Sequence, residues 1–335
     1  MGTKSKLLIA GLILLLVAVF FLLPSPMAVQ GVGVQDAVVA DPADKPLAVR
    51  IWYPAGPENN ARINGNGLPL IVMSHGTGGN LYGHADTAIA LAKAGFVVAA
   101  LTHTGDNFMD RTHVDRGDYL IERPRHIALL IDYMLGRWTE HSRLDPARIG
   151  MFGHSAGGFT AMVIAGGVPD MSRTIGHCHA QPKAWDCQYW QERHTDLTKL
   201  SGRGTQTWVH DPRVKAAVVA APAVGYVFEP EGLSEVHIPI QMWEAQHDDI
   251  VADSPSLLSR LLPQAPDFHR VAGAQHLSFL APCGWRERMF IRMMGWFGTT
   301  DICSDRVGFD REKFHSEFNK AVVSYFEKTL AKPGE

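Results

Sequence analysis

The chain has 335 residues, 46% of them hydrophobic and 19% charged, with a formal net charge of -3. That balance gives no basic field for nucleic acid, and there is no low-complexity run or internal repeat to mark a fibrous or disordered protein. Roughly 300 residues behind the N-terminal segment are enough to bury one large core, so no second globular domain is required.

Met1 to Lys6 carry two lysines and precede an unbroken apolar run from Leu7 to Leu23, which stops at Pro24. A charged start followed by such a run is an export signal. At ~1.5 Å rise per residue the run is just long enough to cross a hydrocarbon core of about 30 Å. Pro26 stands two positions before Ala28, so no clean small-x-small cleavage site is present. Residues 1–28 are therefore a signal peptide or an uncleaved membrane anchor. The lysines hold the N-terminus in the cytoplasm, which places a domain over 32–331 in the periplasm or on the outer face of the cytoplasmic membrane.

From Val32 the pattern alternates. Ala37 to Ala40 and Leu47 to Tyr53 predict an antiparallel hairpin across the turn-rich Asp41 to Pro46. Short apolar runs follow at Leu68–Met73, Phe96–Leu101, Arg148–Phe152, Val214–Val219, Ile238–Trp243 and Phe268–Val271. Helical patterns lie between them at Asp86 to Ala94 and Arg125 to Leu135, and Arg311 to Leu330 closes the chain. Strand alternating with helix predicts an α/β fold with a mostly parallel, doubly wound sheet and helices on both faces. In the last helix Phe314, Phe318, Val322 and Tyr325 share one stripe, as core-facing residues do.

The run at Arg148 passes into Gly153-His154-Ser155-Ala156-Gly157, a strand, sharp turn and helix. In such an elbow the glycines on either side are needed because a Cβ there collides with the neighbouring strand or helix, and Ser155 projects from the carboxyl edge of the sheet as a nucleophile. Three further stretches complete the chemistry. Ser74-His75-Gly76-Thr77-Gly78-Gly79-Asn80 follows a strand, and its glycines let the Thr77 N–H join the Ala156 N–H as donors to an oxyanion. Glu244 to Ile250 follows another strand and offers two carboxylates. Spacing from the strand end favours Asp248, with Asp249 capping the turn or a helix near Ser254. Val271 to Phe279 ends a strand, opens a turn at Gly273 and presents His276. His75 and His154 adjoin these motifs as loop-shaping hydrogen-bonders.

Ser155, Asp248, His276 is the order nucleophile, acid, base, which is the order of the α/β-hydrolase fold. A serine hydroxyl is a poor nucleophile at neutral pH. It needs an imidazole to take its proton and a carboxylate to fix the tautomer, and neither metal nor organic cofactor is required.

Gly166 to Asp211 breaks the alternation directly after the elbow helix, with no assignable period. A cap over the active site is expected there. Its Trp185, Tyr189, Trp190 and Trp208 predict an apolar wall that narrows the pocket and favours short acyl groups. Four cysteines in an exported chain predict two local disulfides, Cys178 with Cys187 and Cys283 with Cys303. The rival reading is a metal site drawn from His177, Cys178, His179, Cys187 and His194, whose spacing matches no common zinc pattern.

Val49 to Ala55, Ser74 to Gly79, Gly153 to Gly158, Gly273 to Leu280 and Gly308 to His315 together resemble the bacterial proteins called predicted dienelactone hydrolases, which are in turn similar to platelet-activating-factor acetylhydrolases. The resemblance covers nearly everything after Val32. It implies carboxylic-ester hydrolysis through Ser155, Asp248 and His276, with the oxyanion at Thr77 and Ala156, on a small-molecule or lipid-derived ester. Two departures stand out. Dienelactone hydrolases proper use a cysteine nucleophile where this chain has Ser155, and Ala245 occupies a position where glycine is commoner. The alternatives are an inactive hydrolase-fold scaffold, anchored to the membrane through its N-terminal segment, and a peptidase or thioesterase using the same triad.

Overall fold

The computed structural model describes residues 29–56, 59–201, 208–295 and 301–332. The apolar run Leu7 to Leu23 lies outside them, and among the described residues no helix is long and apolar enough to cross a membrane. The strands are β1 (Val32–Val39), β2 (Leu47–Gly56), β3 (Asn59–Ile63), β4 (Leu68–Ser74), β5 (Val97–Thr102), β6 (Leu144–His154), β7 (Val214–Ala220), β8 (Ile240–Ala245) and β9 (Asp267–Val271). The helices, in chain order, are α1 (Ala85–Lys93), α2 (Thr112–Arg116), α3 (Tyr119–Gly136), α4 (Ala156–Ile164), α5 (Arg173–Ala180), α6 (Trp185–Glu192), α7 (Leu197–Ser201), α8 (Pro230–Leu233), α9 (Ser254–Leu261), α10 (Trp285–Gly295) and α11 (Arg311–Thr329).

One sheet runs β1-β2-β5-β4-β6-β7-β8-β9, with β3 paired to β2 off this path. β1 and β2 form the expected hairpin, in register from Val39 opposite Leu47 to Val32 opposite Pro54. β2 joins β5 antiparallel, and every pairing from β5 onward is parallel. β4 is buried at all seven positions, as a central parallel strand covered on both faces must be. Its side chains alternate between layers. Leu70 and Val72 enter a core shared with Leu130 of α3 and Phe159 of α4, whereas Ile71 and Met73 enter one shared with Leu91 of α1 and Phe318 of α11. Helices therefore cover both faces, and the chain has the doubly wound α/β-hydrolase architecture.

Three details differ from the sequence expectation. β3 carries no strong apolar alternation and forms by pairing with β2. In α11 the stripe Phe314, Phe318, Val322 gains the fully buried Phe326, a further step of four residues, while Tyr325 packs half-buried against the same core as expected. The insert from 166 to 211 is helical over α5, α6 and α7. It lies against Thr112–Tyr119 and the turn at Gly225–Val227. Arg193 pairs with Asp115 at 2.7 Å, Trp190 Nε1–H donates to Tyr119 Oη at 3.1 Å, Tyr226 Oη–H donates to Asp186 at 2.8 Å, and His177 stacks on Tyr226 at 3.7 Å.

Both predicted disulfides are present, Cys178–Cys187 within the insert and Cys283–Cys303 around α10. They consume the thiols that a metal reading required. His177, Asp186 and Cys187 still cluster, but Cys187 has no thiolate to offer. Such bonds persist in oxidising compartments such as the periplasm and the cell exterior.

Candidate active site

The turn between β6 and α4 holds Ser155 at φ 56° and ψ -120°, a conformation that few non-glycine residues adopt. Its neighbours are glycine because space demands it. A Cβ on Gly153 would strike the Gly157 carbonyl, one on Gly157 would strike the Ser74 carbonyl, and one on Gly158 would lie 2.8 Å from Pro222 Cα. The Ser155 N–H donates to Ala220 O of β7 at 3.0 Å, and its carbonyl accepts from Ala223 N–H at 3.0 Å. The serine is thus pinned at the carboxyl edge of the sheet by its own backbone, with 7% of its surface exposed.

Asp248 and His276 meet behind it. His276 Nδ1–H donates to Asp248 Oδ2 at 2.8 Å, with both side chains almost wholly buried. Asp248 Oδ1 accepts from the N–H groups of Ile250 and Val251, each at 3.0 Å. With Nδ1 committed to the carboxylate, Nε2 is the nitrogen left for proton exchange. Asp249 is exposed and accepts no capping hydrogen bond among the described residues: Asp253 occupies the position before α9 and Asp248 itself closes the turn. Among the described residues no hydrogen bond joins Ser155 Oγ to His276. The two are related through His154, whose ring lies 4.8 Å from that of His276 and whose Nε2–H donates to the His276 carbonyl at 3.2 Å.

The loop after β4 stands directly over the serine. A Cβ on Gly76 would lie 3.1 Å from Ser155 Cβ and 3.3 Å from His154 Nδ1. Gly78 adopts φ 70°. Neither the Thr77 N–H nor the Ala156 N–H has an acceptor among the described residues, so two backbone donors remain available beside Ser155.

What holds this loop is a buried ion pair that the sequence reading did not single out. Arg123 of α3 and Asp106 meet at 2.7 Å, each 1% exposed. Asp106 Oδ1 accepts from Gly78 N–H at 2.9 Å, and Arg123 Nη1–H donates to His75 O at 2.7 Å. His75 acts as the expected brace, donating from Nδ1 to Gly76 O and accepting His103 N–H at Nε2. His103 continues the network to Ser74 Oγ at 2.8 Å and to His126 at 3.1 Å. Burial pushes the His75 and His103 imidazoles well below their ordinary range, His126 to about 3 and His84 to about 4, so these rings serve as neutral donors and acceptors.

The turn that presents His276, residues His276–Phe279, is held by three other histidines. Besides His154, His84 Nδ1–H donates to Phe279 O at 3.1 Å, and His315 Nε2–H donates to Ser278 O at 2.9 Å while its Nδ1–H donates to Asp86. Ser278 Oγ–H donates to Asp305, which Arg311 grips with two nitrogens at 2.7 and 2.9 Å. Residues 84, 154 and 315 are far apart in the chain, and the available sequence signal was the dense histidine content near the motifs.

Of the four insert aromatics, two are tied to the loop after β4 through Arg111. Trp185 and Tyr189 stack at 4.9 Å, and Arg111 spans from the Tyr189 hydroxyl at 2.9 Å to Gly78, where an added Cβ would come within 2.6 Å of its Nη2. Trp190 is buried in the core and Trp208 packs edge-on against Phe159, so neither forms the expected wall.

No protein-family model matches this chain. No curated protein matches it either. Among solved structures it is similar to a ferulic acid esterase from Streptomyces cinnamoneus, at 17% identity and a TM-score of 0.59, over 93% of this chain and 96% of that one. At that identity the likeness carries the fold alone: the chain adopts the α/β-hydrolase fold.

Proposed function

We propose that this chain is a serine hydrolase of carboxylic esters. Ser155 Oγ attacks the acyl carbon while His276 Nε2 takes its proton. The proton passes to the departing alcohol, and water then repeats the sequence on the acyl-enzyme. Asp248 fixes the tautomer and stabilises the imidazolium, and the Thr77 and Ala156 N–H groups receive the oxyanion, each worth ~3 kcal/mol in the transition state. The observation that carries this reading is the buried Asp248–His276 pair beside a serine held at positive φ. Sharing a fold with a ferulic acid esterase agrees with the activity class, and the motif resemblance to predicted dienelactone hydrolases agrees with a serine esterase of that kind.

Residues 166–211 act in this reading as a cap. The stacked Trp185 and Tyr189, tied to the oxyanion loop through Arg111, narrow the acyl side and favour acetyl and butyryl esters over long chains. The working place is outside the cytoplasm, where residues 1–28 direct the chain.

A fluorophosphonate probe tests the reading. It labels the wild-type protein and spares Ser155→Ala, and p-nitrophenyl acetate and butyrate are cleaved with higher kcat/KM than the long-chain esters. Absence of labelling would make the chain a non-catalytic binding protein on this fold. Preference for amides or thioesters in the same panel would change the bond cleaved.

A further inference from the structure

We infer that the face bearing Ser155 docks onto an anionic lipid surface through α10, independently of the N-terminal segment. α10 stands outside the core. Trp285 is 66% exposed, Met289 52%, and Phe290 and Met293 nearly as much. Positions 285, 289 and 293 recur every four residues and so form one stripe along the helix. Between them stand Arg286, Arg288 and Arg292, against the single acid Glu287. Arg286 lies 5.4 Å over the Trp285 ring, and Arg288 reaches back to Glu312 and to the Cys283 carbonyl.

A short helix with an exposed apolar stripe and flanking arginines, in a chain of net charge -3, matches an interfacial helix. The apolar side chains enter the headgroup boundary and the guanidiniums meet lipid phosphates. Pairing α10 with the same helix of a second copy would set these arginines against one another, whereas anionic headgroups complement them, so the charge favours lipid over a symmetric dimer through this face.

Position adds a second observation. Other apolar residues are exposed in the connections that follow the strands: Tyr82 after β4, Phe108 and Met109 after β5, and Ile302 and Val307 beyond α10. Tyr82, Phe108 and Met109 follow the carboxyl ends of parallel strands, the edge from which Ser155 and His276 project, and Ile302 and Val307 lie in the connection from β9 to α11 that also carries α10. The Cys283–Cys303 bond closes the loop carrying α10 onto the segment whose Asp305 holds Ser278 of the His276 turn. The helix is therefore fixed relative to the site, and docking turns the mouth of the site toward the headgroups.

Hydrogen–deuterium exchange on the full chain tests this with vesicles of phosphatidylcholine and phosphatidylglycerol (7:3). Amides of residues 285–295 should slow at least about tenfold on these vesicles, while β4 and β6 are unchanged. Trp285→Ser/Met289→Ser/Met293→Ser should lose this protection with an unaltered thermal midpoint. Arg286→Gln/Arg292→Gln should weaken it, and so should pure phosphatidylcholine. Exchange of 285–295 that vesicles leave unchanged overturns the inference, even where the N-terminal segment holds the chain on the bilayer. Protection that grows with protein concentration in the absence of lipid overturns it in favour of self-association.

Discussion

Asp248 and Asp249 are adjacent carboxylates in opposite surroundings. Asp248 is buried against His276 and two backbone N–H groups, whereas Asp249 faces solvent. Asp248→Asn is therefore expected to lower kcat by ~10⁴ through the wrong histidine tautomer, while Asp249→Asn leaves it near wild type. Steady-state kinetics on p-nitrophenyl acetate checks this, and the reverse pattern would reassign the acid. Ser155→Ala should abolish hydrolysis and leave the urea midpoint nearly unchanged, because its small hydroxyl contributes no hydrogen bond to the body among the described residues. His154 shows how a residue beside a motif can act through its neighbour, as its Nε2–H holds the carbonyl of His276.

Among elements, the loop after β4 depends on contacts outside itself. Arg123 and Asp106 are both 1% exposed and hold His75 and Gly78 from below. Arg123→Met leaves Asp106 as an uncompensated buried charge, and a loss of about 3–5 kcal/mol is expected in urea unfolding. The same variant should lose kcat beyond what its stability explains, since Thr77 adjoins the freed Gly78. Unchanged kcat in the folded variant would show that the loop holds its shape without the pair. The second element is the loop that the Cys283–Cys303 bond closes over a separation of 20 residues. Cys283→Ser/Cys303→Ser should reduce stability by about 3 kcal/mol on a chain-entropy account, read as a lower denaturation midpoint.

At the scale of the molecule, five buried histidines set an acid limit. Burial lowers His75, His84, His103, His126 and His154, with His84 brought to about 4 and His126 to about 3. In the unfolded chain each titrates near its ordinary value of about 6.5. Below that pH the unfolded state binds protons that the folded state refuses, so stability is complete above about pH 6.5 and falls as pH drops toward 4. His84 alone accounts for a loss on the order of 3 kcal/mol. Calorimetry from pH 7.5 to 4.5 should show a steadily falling midpoint, and a constant one would mean these rings are not held neutral. Much of this molecule was legible in its residues. Strand and helix alternation, the sharp turn at Ser155 and both disulfides rest on patterns within about 20 residues, where spacing along the chain fixes spacing in space. The full burial of Phe326, the pairing of β3, the Asp106–Arg123 support and the roles of His84 and His315 behind His276 were not legible. His315 and Asp86 are 229 positions apart, and His84 and Phe279 are 195 apart. Which distant polar groups become partners depends on how the layers stack around the sheet, because a buried donor takes whichever acceptor the packing brings within about 3 Å. The sequence by itself determined the sheet, the sharp turn at Ser155 and both disulfides. Only the tertiary structure decided which distant buried groups meet around that turn, because their partners are brought together by how the layers stack.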